Sequence, residues 1–181
     1  KVMILTGGPG TGKTTLVNII IEILEKNGYN IFLAAPTGRA AKRMADTTGK
    51  EAKTIHRLLE FNPQTKQYNR NIKNPLDINM IIIDEFSMVD QVIFYQLLNG
   101  ISDTCKLLFI GDKDQLPSVG AGNVLKDLIE SNIFPTAHLS QIFRQGTGSL
   151  ITLNAHKINN GEYPELPKDK DSIFDFYFIQ K

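Results

Sequence analysis

Residues 7–14 read GGPGTGKT, which fits the spacing G-x-x-x-x-G-K-[ST]. Glycines at those positions let the backbone bend with successive N–H groups turned inward, an anion nest at the start of a helix. The candidate phosphate contacts are Gly8, Pro9, Gly10, Thr11, Gly12, Lys13, Thr14 and Thr15. Lys13 has the reach for the β- and γ-phosphates of a nucleoside triphosphate, and the Thr14 hydroxyl for Mg²⁺. Residues 80–85 read MIIIDE. An apolar strand ending in two acids sets its carboxylates at the carboxyl edge of a sheet, where open α/β sheets bind ligands. Asp84 is the candidate Mg²⁺ partner and Glu85 the candidate for polarising an attacking water. Two acids there could equally be solvated caps. The phosphate loop favours the chemical reading, because it calls for a metal carboxylate from a neighbouring strand. Residues 107–117, LLFIGDKDQLP, repeat the arrangement. Gln115 beyond that strand could bond both a γ-phosphate oxygen and a water, although GDKDQ by itself also reads as a plain turn.

These groups need a scaffold, and the pattern of apolar runs supplies one. Strands are expected at Val2–Thr6, Ile31–Ala35, Met80–Asp84, Lys106–Ile110 and Thr136–Leu139. Helices are expected over Lys13–Asn27, Gly38–Thr47, Thr54–Phe61, Gln91–Asn99, Asn123–Glu130 and Ser149–Asn159, with Thr54 as a cap. The first helix is expected to set Ile19, Ile20, Ile23 and Leu24 near one face. Residues 62–76, polar and with two prolines, read as an exposed excursion, and 161–181 as a polar tail leading into a further segment. Buried continuous strands alternating with helices predict an α/β fold, a parallel sheet covered on both faces.

Composition bounds the rest. The chain has 181 residues, 41% of them hydrophobic and 22% charged, enough for one ordered core without staples. A single cysteine, Cys105, excludes an internal disulfide and a Cys-rich zinc site. No apolar run approaches the roughly 20 residues of a membrane span, so no membrane partner and a cytoplasmic setting are expected. Net charge is +1, whereas residues 39–57 hold six Lys/Arg against two acids. That local +4 suits a polyanion, and also suits a solvated helix face. The chain opens on Lys1, already inside a strand-like run, and is expected to be a piece of a longer protein.

The ordered set GGPGTGKT, APTGRAAKRM, TIHRLL, IIIDEFSMVD, LLFIGDKDQLPSVGAGNVL and LSQIFRQ resembles superfamily 1 DNA helicases. Within them it is similar to the RecD type, the exodeoxyribonuclease V alpha subunits and their relatives. The resemblance implies a P-loop NTPase fold of the RecA-like three-layer kind over residues 1–160, the first of two motor domains. It implies ATP and Mg²⁺ as cofactors, and single-stranded DNA, a second RecA-like domain and in some cases a nuclease complex as partners. It assigns γ-phosphate sensing to Gln115, and a γ-phosphate contact to Arg144. DNA contacts fall on Pro36, Thr37, Gly38, Arg39, Thr54 and His56, with Ser118–Asn123 a further strip. Thr37, Gly38 and Thr54 could bond backbone phosphates without reading sequence, and His56 could stack on a base. Another class of P-loop ATPase and a non-catalytic binding module are the competing readings.

Overall fold

A computed structural model of the chain describes residues 1–141, 150–166 and 175–176. Six strands form one sheet: β1 (Val2–Gly7), β2 (Ile31–Ala35), β3 (Ala52–Thr54), β6 (Met80–Ile83), β7 (Lys106–Gly111) and β8 (Thr136–Leu139). Their order is β3-β2-β6-β7-β1-β8, and every neighbouring pair is parallel. The register aligns Ile83 and Ile4 on either side of Phe109.

Side-chain alternation makes this a three-layer fold. Ile81, Ile83, Leu107, Phe109 and Ile4 face a core closed by α3 (Ile55–Leu58), α4 (Gln91–Asn99) and α5 (Val124–Glu130). Met80, Ile82, Leu108, Ile110 and Leu5 face the opposite way, against α1 (Lys13–Lys26) and α2 (Gly38–Thr48). The expected α/β architecture with a sheet flanked by helices is therefore the observed one. Among the described residues no helix is long and apolar enough to cross a membrane.

Three local expectations change. The buried side of α1 is Val17 and Ile21, with Leu16, Ile20 and Leu24 packed beside them. Ile19 and Ile23 are half exposed at 49% and 54%. Positions 17, 20, 21 and 24 share one helical stripe, and the run IIIEIL hides which stripe points inward. The expected Thr54–Phe61 helix is a single turn, because Ala52–Thr54 just before it joins the sheet as β3. The excursion at 62–76 contains part of a hairpin, β4 (Phe61–Asn62) with β5 (Gln67–Tyr68) antiparallel. Asn62 Oδ1 accepts from the Gln64 and Thr65 amides, which makes its turn. The segment stays largely exposed, but Leu76 bonds back to Gly100 and packs on the core.

The chain divides into two compact units, Lys1–Gln141 and Ile142–Lys181. In the second, α6 (Leu150–Asn159) presents Asn154, whose side-chain amide exchanges two bonds of 2.8 and 2.6 Å with the Glu165 backbone.

Candidate functional site: one edge of the parallel sheet

Parallel strands end at a common edge, so segments far apart in sequence meet there. β1 runs into the phosphate loop, β2 into Pro36–Thr37, β6 into Asp84–Glu85, β7 into Asp112–Gln115 and β3 into α3. The strand order separates two groups. The phosphate loop, the acids and the glutamine lie over β6, β7 and β1. Pro36–Arg39, Thr54 and His56, implied in DNA contact, lie over β2 and β3, whereas the further strip Ser118–Asn123 follows β7.

The loop is built from its own backbone. Gly12 sits at φ 84° as the residue before α1, a conformation few side chains accept. No side chain caps α1, so its first amides stay available to an anion. Gly7 lies against Leu139, and a Cβ there would come within 2.7 Å of the Leu139 carbonyl. Thr11 is buried and donates to the Gly8 carbonyl at 2.8 Å, so its hydroxyl braces the loop. Lys13 Nζ folds back over the loop, donating to the carbonyls of Gly7 (2.5 Å) and Gly8 (2.9 Å). Thr14 and Thr15 stand at the head of α1, both of them exposed.

β6 delivers the acids. The Asp84 amide still bonds to Ala34 across the sheet at 3.0 Å. Glu85 then turns to φ 53°, a left-handed conformation uncommon outside glycine. Asp84 Oδ1 accepts the Glu85 amide at 2.8 Å and fixes the turn. The next residue, Phe86, is fully buried and stacks on Phe109 at 4.0 Å, with Phe94 edge-on to both. An aromatic anchor under a strained turn holds the two carboxylates in place.

The acids and the phosphate loop do not come from neighbouring strands, contrary to expectation, because β7 lies between β6 and β1. That intervening strand brings Asp112, which the sequence pattern alone does not single out. It is buried at 4% exposure, and its Oδ1 accepts the Asp114 amide. The Lys113 amide reaches the buried Thr6 hydroxyl on β1 at 3.3 Å, joining the two strand ends.

Electrostatics ties the groups together. The Glu85 carboxyl is raised above the usual carboxylate range, first by burial and then by the Asp84 charge. The Arg43 guanidinium and the Lys13 ammonium pull it down, and Asp112 adds a smaller push upward. Glu85 thus feels both the loop lysine and α2, where Arg43 sits 3.6 Å from its Oε1.

The oxygen donors suit a hard cation. Among the described residues the Thr14 hydroxyl has no hydrogen-bond partner, and Asp84 uses one oxygen on a protein amide. Neutral hydroxyl and carboxylate oxygens are what Mg²⁺ prefers, with waters and phosphates completing its shell.

The remaining candidates are placed as follows. Gln115 is exposed on the turn after β7, its amide bonded to the Asp112 carbonyl at 3.3 Å. Arg144 lies outside the described residues. Ser118–Asn123 folds onto the start of α4, where Ala121 accepts the Gln91 amide at 3.0 Å. Pro36 precedes Thr37, which caps α2 by accepting the Ala40 amide. Thr54 caps α3 by accepting the Arg57 amide. Each hydroxyl keeps its own proton to donate. Gly38 and Arg39 are exposed. The His56 ring meets Phe61 edge-on at 5.4 Å and Tyr68 at 5.9 Å, so it is partly enclosed by the hairpin. Of the six cations in 39–57, Arg43, Lys50 and Lys53 face acids at 3.6, 2.7 and 3.4 Å. Arg39, Lys42 and Arg57 have no acid within 4 Å among the described residues.

Comparison with known proteins identifies the family and supports the fold. A family profile described as an AAA domain matches residues 1–121. The ATP-dependent RecD2 DNA helicase of Deinococcus radiodurans is 39% identical, over 91% of this chain and 22% of its own length. The RecBCD enzyme subunit RecD of Mycolicibacterium smegmatis is also 39% identical, over 70% of this chain and 27% of its own. Among solved structures, the Pif1 helicase from Candida albicans aligns with a TM-score of 0.60 at 25% identity. That alignment covers 91% of this chain and 42% of the Pif1 chain. The chain thus spans about a quarter of the length of the curated relatives it matches.

Proposed function

The chain belongs to the AAA domain family, and on that premise we propose that it is the first motor domain of a RecD-type DNA helicase, converting ATP hydrolysis into movement on single-stranded DNA. The observation that carries this is geometric: the uncapped phosphate loop at the end of β1 and the Asp84–Glu85 turn at the end of β6 stand at the same edge of the parallel sheet, one strand apart.

In this mechanism the Gly7–Thr14 backbone amides and the head of α1 hold the triphosphate. Lys13 leaves the Gly7 and Gly8 carbonyls for the β- and γ-phosphates, a stronger, charged acceptor. Thr14 and Asp84 are the residues that would hold Mg²⁺, which when bound neutralises phosphate charge. Glu85, set by its left-handed turn, orients water toward the γ-phosphate, and Gln115 senses whether that phosphate is present. Catalysis here is positioning and charge stabilisation. Arg144 and a second RecA-like domain of the same protein would complete the site. Thr37, Gly38, Arg39 and Thr54, with Pro36 shaping the loop and His56 beside it, would grip phosphates of a strand travelled 5′ to 3′. Relatives named as subunits of the RecBCD enzyme favour membership of a multi-subunit complex as one setting for such a protein; the relative named as an ATP-dependent DNA helicase carries no subunit in its name.

The test is steady-state ATP hydrolysis by the full-length protein with and without oligothymidylate. Glu85→Gln should retain nucleotide affinity and lose turnover by on the order of 10²-fold or more. Wild-type turnover by that variant would contradict the assignment. The isolated 181-residue domain should bind ATP yet show little strand-stimulated hydrolysis. Unwinding of duplexes with a 5′ but not a 3′ overhang by the full-length protein checks direction.

A further inference from the structure

We propose that Arg43 is a restraint on Glu85 that a nucleic-acid phosphate removes, so that strand binding on α2 releases the carboxylate that orients water. This rests on the assignment of Glu85 to the attacking water and of α2 to the strand-binding side. Arg43 leaves its own helix to make this contact. Asp46 lies three residues on, at in-helix pairing distance, yet among the described residues the acid Arg43 meets within 4 Å is Glu85, at 3.6 Å.

Two features make the contact exchangeable. The Arg43 side chain is 72% exposed, against 28% for Glu85, so the guanidinium is open to a competing anion while the carboxylate is sheltered. Arg39 and Lys42, neighbours of Arg43 on α2 and both exposed, have no acid partner among the described residues. A phosphodiester drawn to those two cations arrives beside Arg43. Arginine forms bidentate bonds to phosphate oxygens as readily as to carboxylates. With the guanidinium on Oε1, one Glu85 oxygen is engaged. With the guanidinium on the strand, both oxygens are free for water. The exchange would link the two halves of the sheet edge through a single side chain.

The experiment is ATP hydrolysis by the full-length protein without DNA and at saturating oligothymidylate, for wild type, Arg43→Ala and Arg43→Lys. An exposed ion pair carries a small energy, so strand-free kcat in Arg43→Ala should rise about two- to five-fold. The ratio of strand-saturated to strand-free kcat should fall by the same factor, with KM for ATP unchanged. Arg43→Lys, which keeps the charge, should restore most of the wild-type ratio. A strand-free kcat that is unchanged or lowered in Arg43→Ala overturns the restraint. Glu85→Gln separates the two failures. If it is inactive with and without DNA while Arg43→Ala shows no rise, the restraint alone is wrong. If it turns over normally, the assignment of Glu85 is wrong and the restraint with it.

Discussion

The two halves of the sheet's carboxyl edge are built to different standards of rigidity. Over β6, β7 and β1 the polar groups stand on buried residues: Phe86 and Phe109 are stacked beneath the acids, and Thr6, Thr11 and Asp112 are themselves buried. Over β2 and β3 the groups are surface groups. Gly38, Arg39, Lys42, Arg43 and Arg57 are exposed, and half of the local cations are balanced by acids. Charge stabilisation during hydrolysis demands groups fixed in advance. A grip that must form and release along a uniform backbone is better served by exposed, individually weak contacts. On the proposed function, one sheet would offer both, because its middle strands are buried on two faces and its flank is short.

That contrast can be broken experimentally, beginning with the largest effect. Lys13→Ala should lower kcat by on the order of 10²-fold or more in the full-length protein, while affinity for single-stranded DNA in the absence of nucleotide changes little. Equal losses of both would mean that the halves are not separable. Next, Phe86→Ala should cost about 3–5 kcal/mol of stability in denaturant unfolding, because it removes an aromatic from a fully buried stack. A loss under about 1 kcal/mol would show that the acid turn does not depend on that anchor.

Smaller effects sharpen the strand side. Arg39→Ala and Arg57→Ala should each weaken oligothymidylate binding. The salt slope should shrink by about 0.7 for every phosphate that a variant no longer neutralises. A salt slope identical to wild type in both would remove these cations from the interface. The smallest effect concerns Cys105, buried just ahead of β7. Burial raises its thiol to about 11, so little thiolate is present at mildly alkaline pH. Native protein should resist alkylation there, and unfolded protein should react. Rapid native labelling would indicate that this region opens.

How much of this was legible in the sequence depends on whether a feature is local. GGPGTGKT carries its own geometry in eight consecutive residues, and the runs MIII and LLFI announce buried strands by composition. Thr54 was readable as a cap from its place before an apolar turn. β3 was not readable, because Ala52–Thr54 is three residues without an apolar run and becomes a strand only by pairing with Leu33–Ala35. The inward stripe of α1 was hidden, because a continuous apolar run has no visible period. The separation of β1 from β6 and the meeting of Arg43 with Glu85 depend on strand order, which no local pattern encodes. Asp112 becomes notable only because its strand lies between the phosphate loop and the acids. Its burial could have been suspected from its place directly after LLFIG, the position Asp84 holds after MIII.

The most direct test is a crystal structure of the domain grown with a non-hydrolysable ATP analogue and Mn²⁺, read by anomalous scattering. The triphosphate should lie on the Gly7–Thr14 amides with Lys13 turned onto it, and one manganese peak should stand between Thr14 and Asp84. A loop that stays empty at saturating nucleotide, or a metal remote from both residues, would contradict the account.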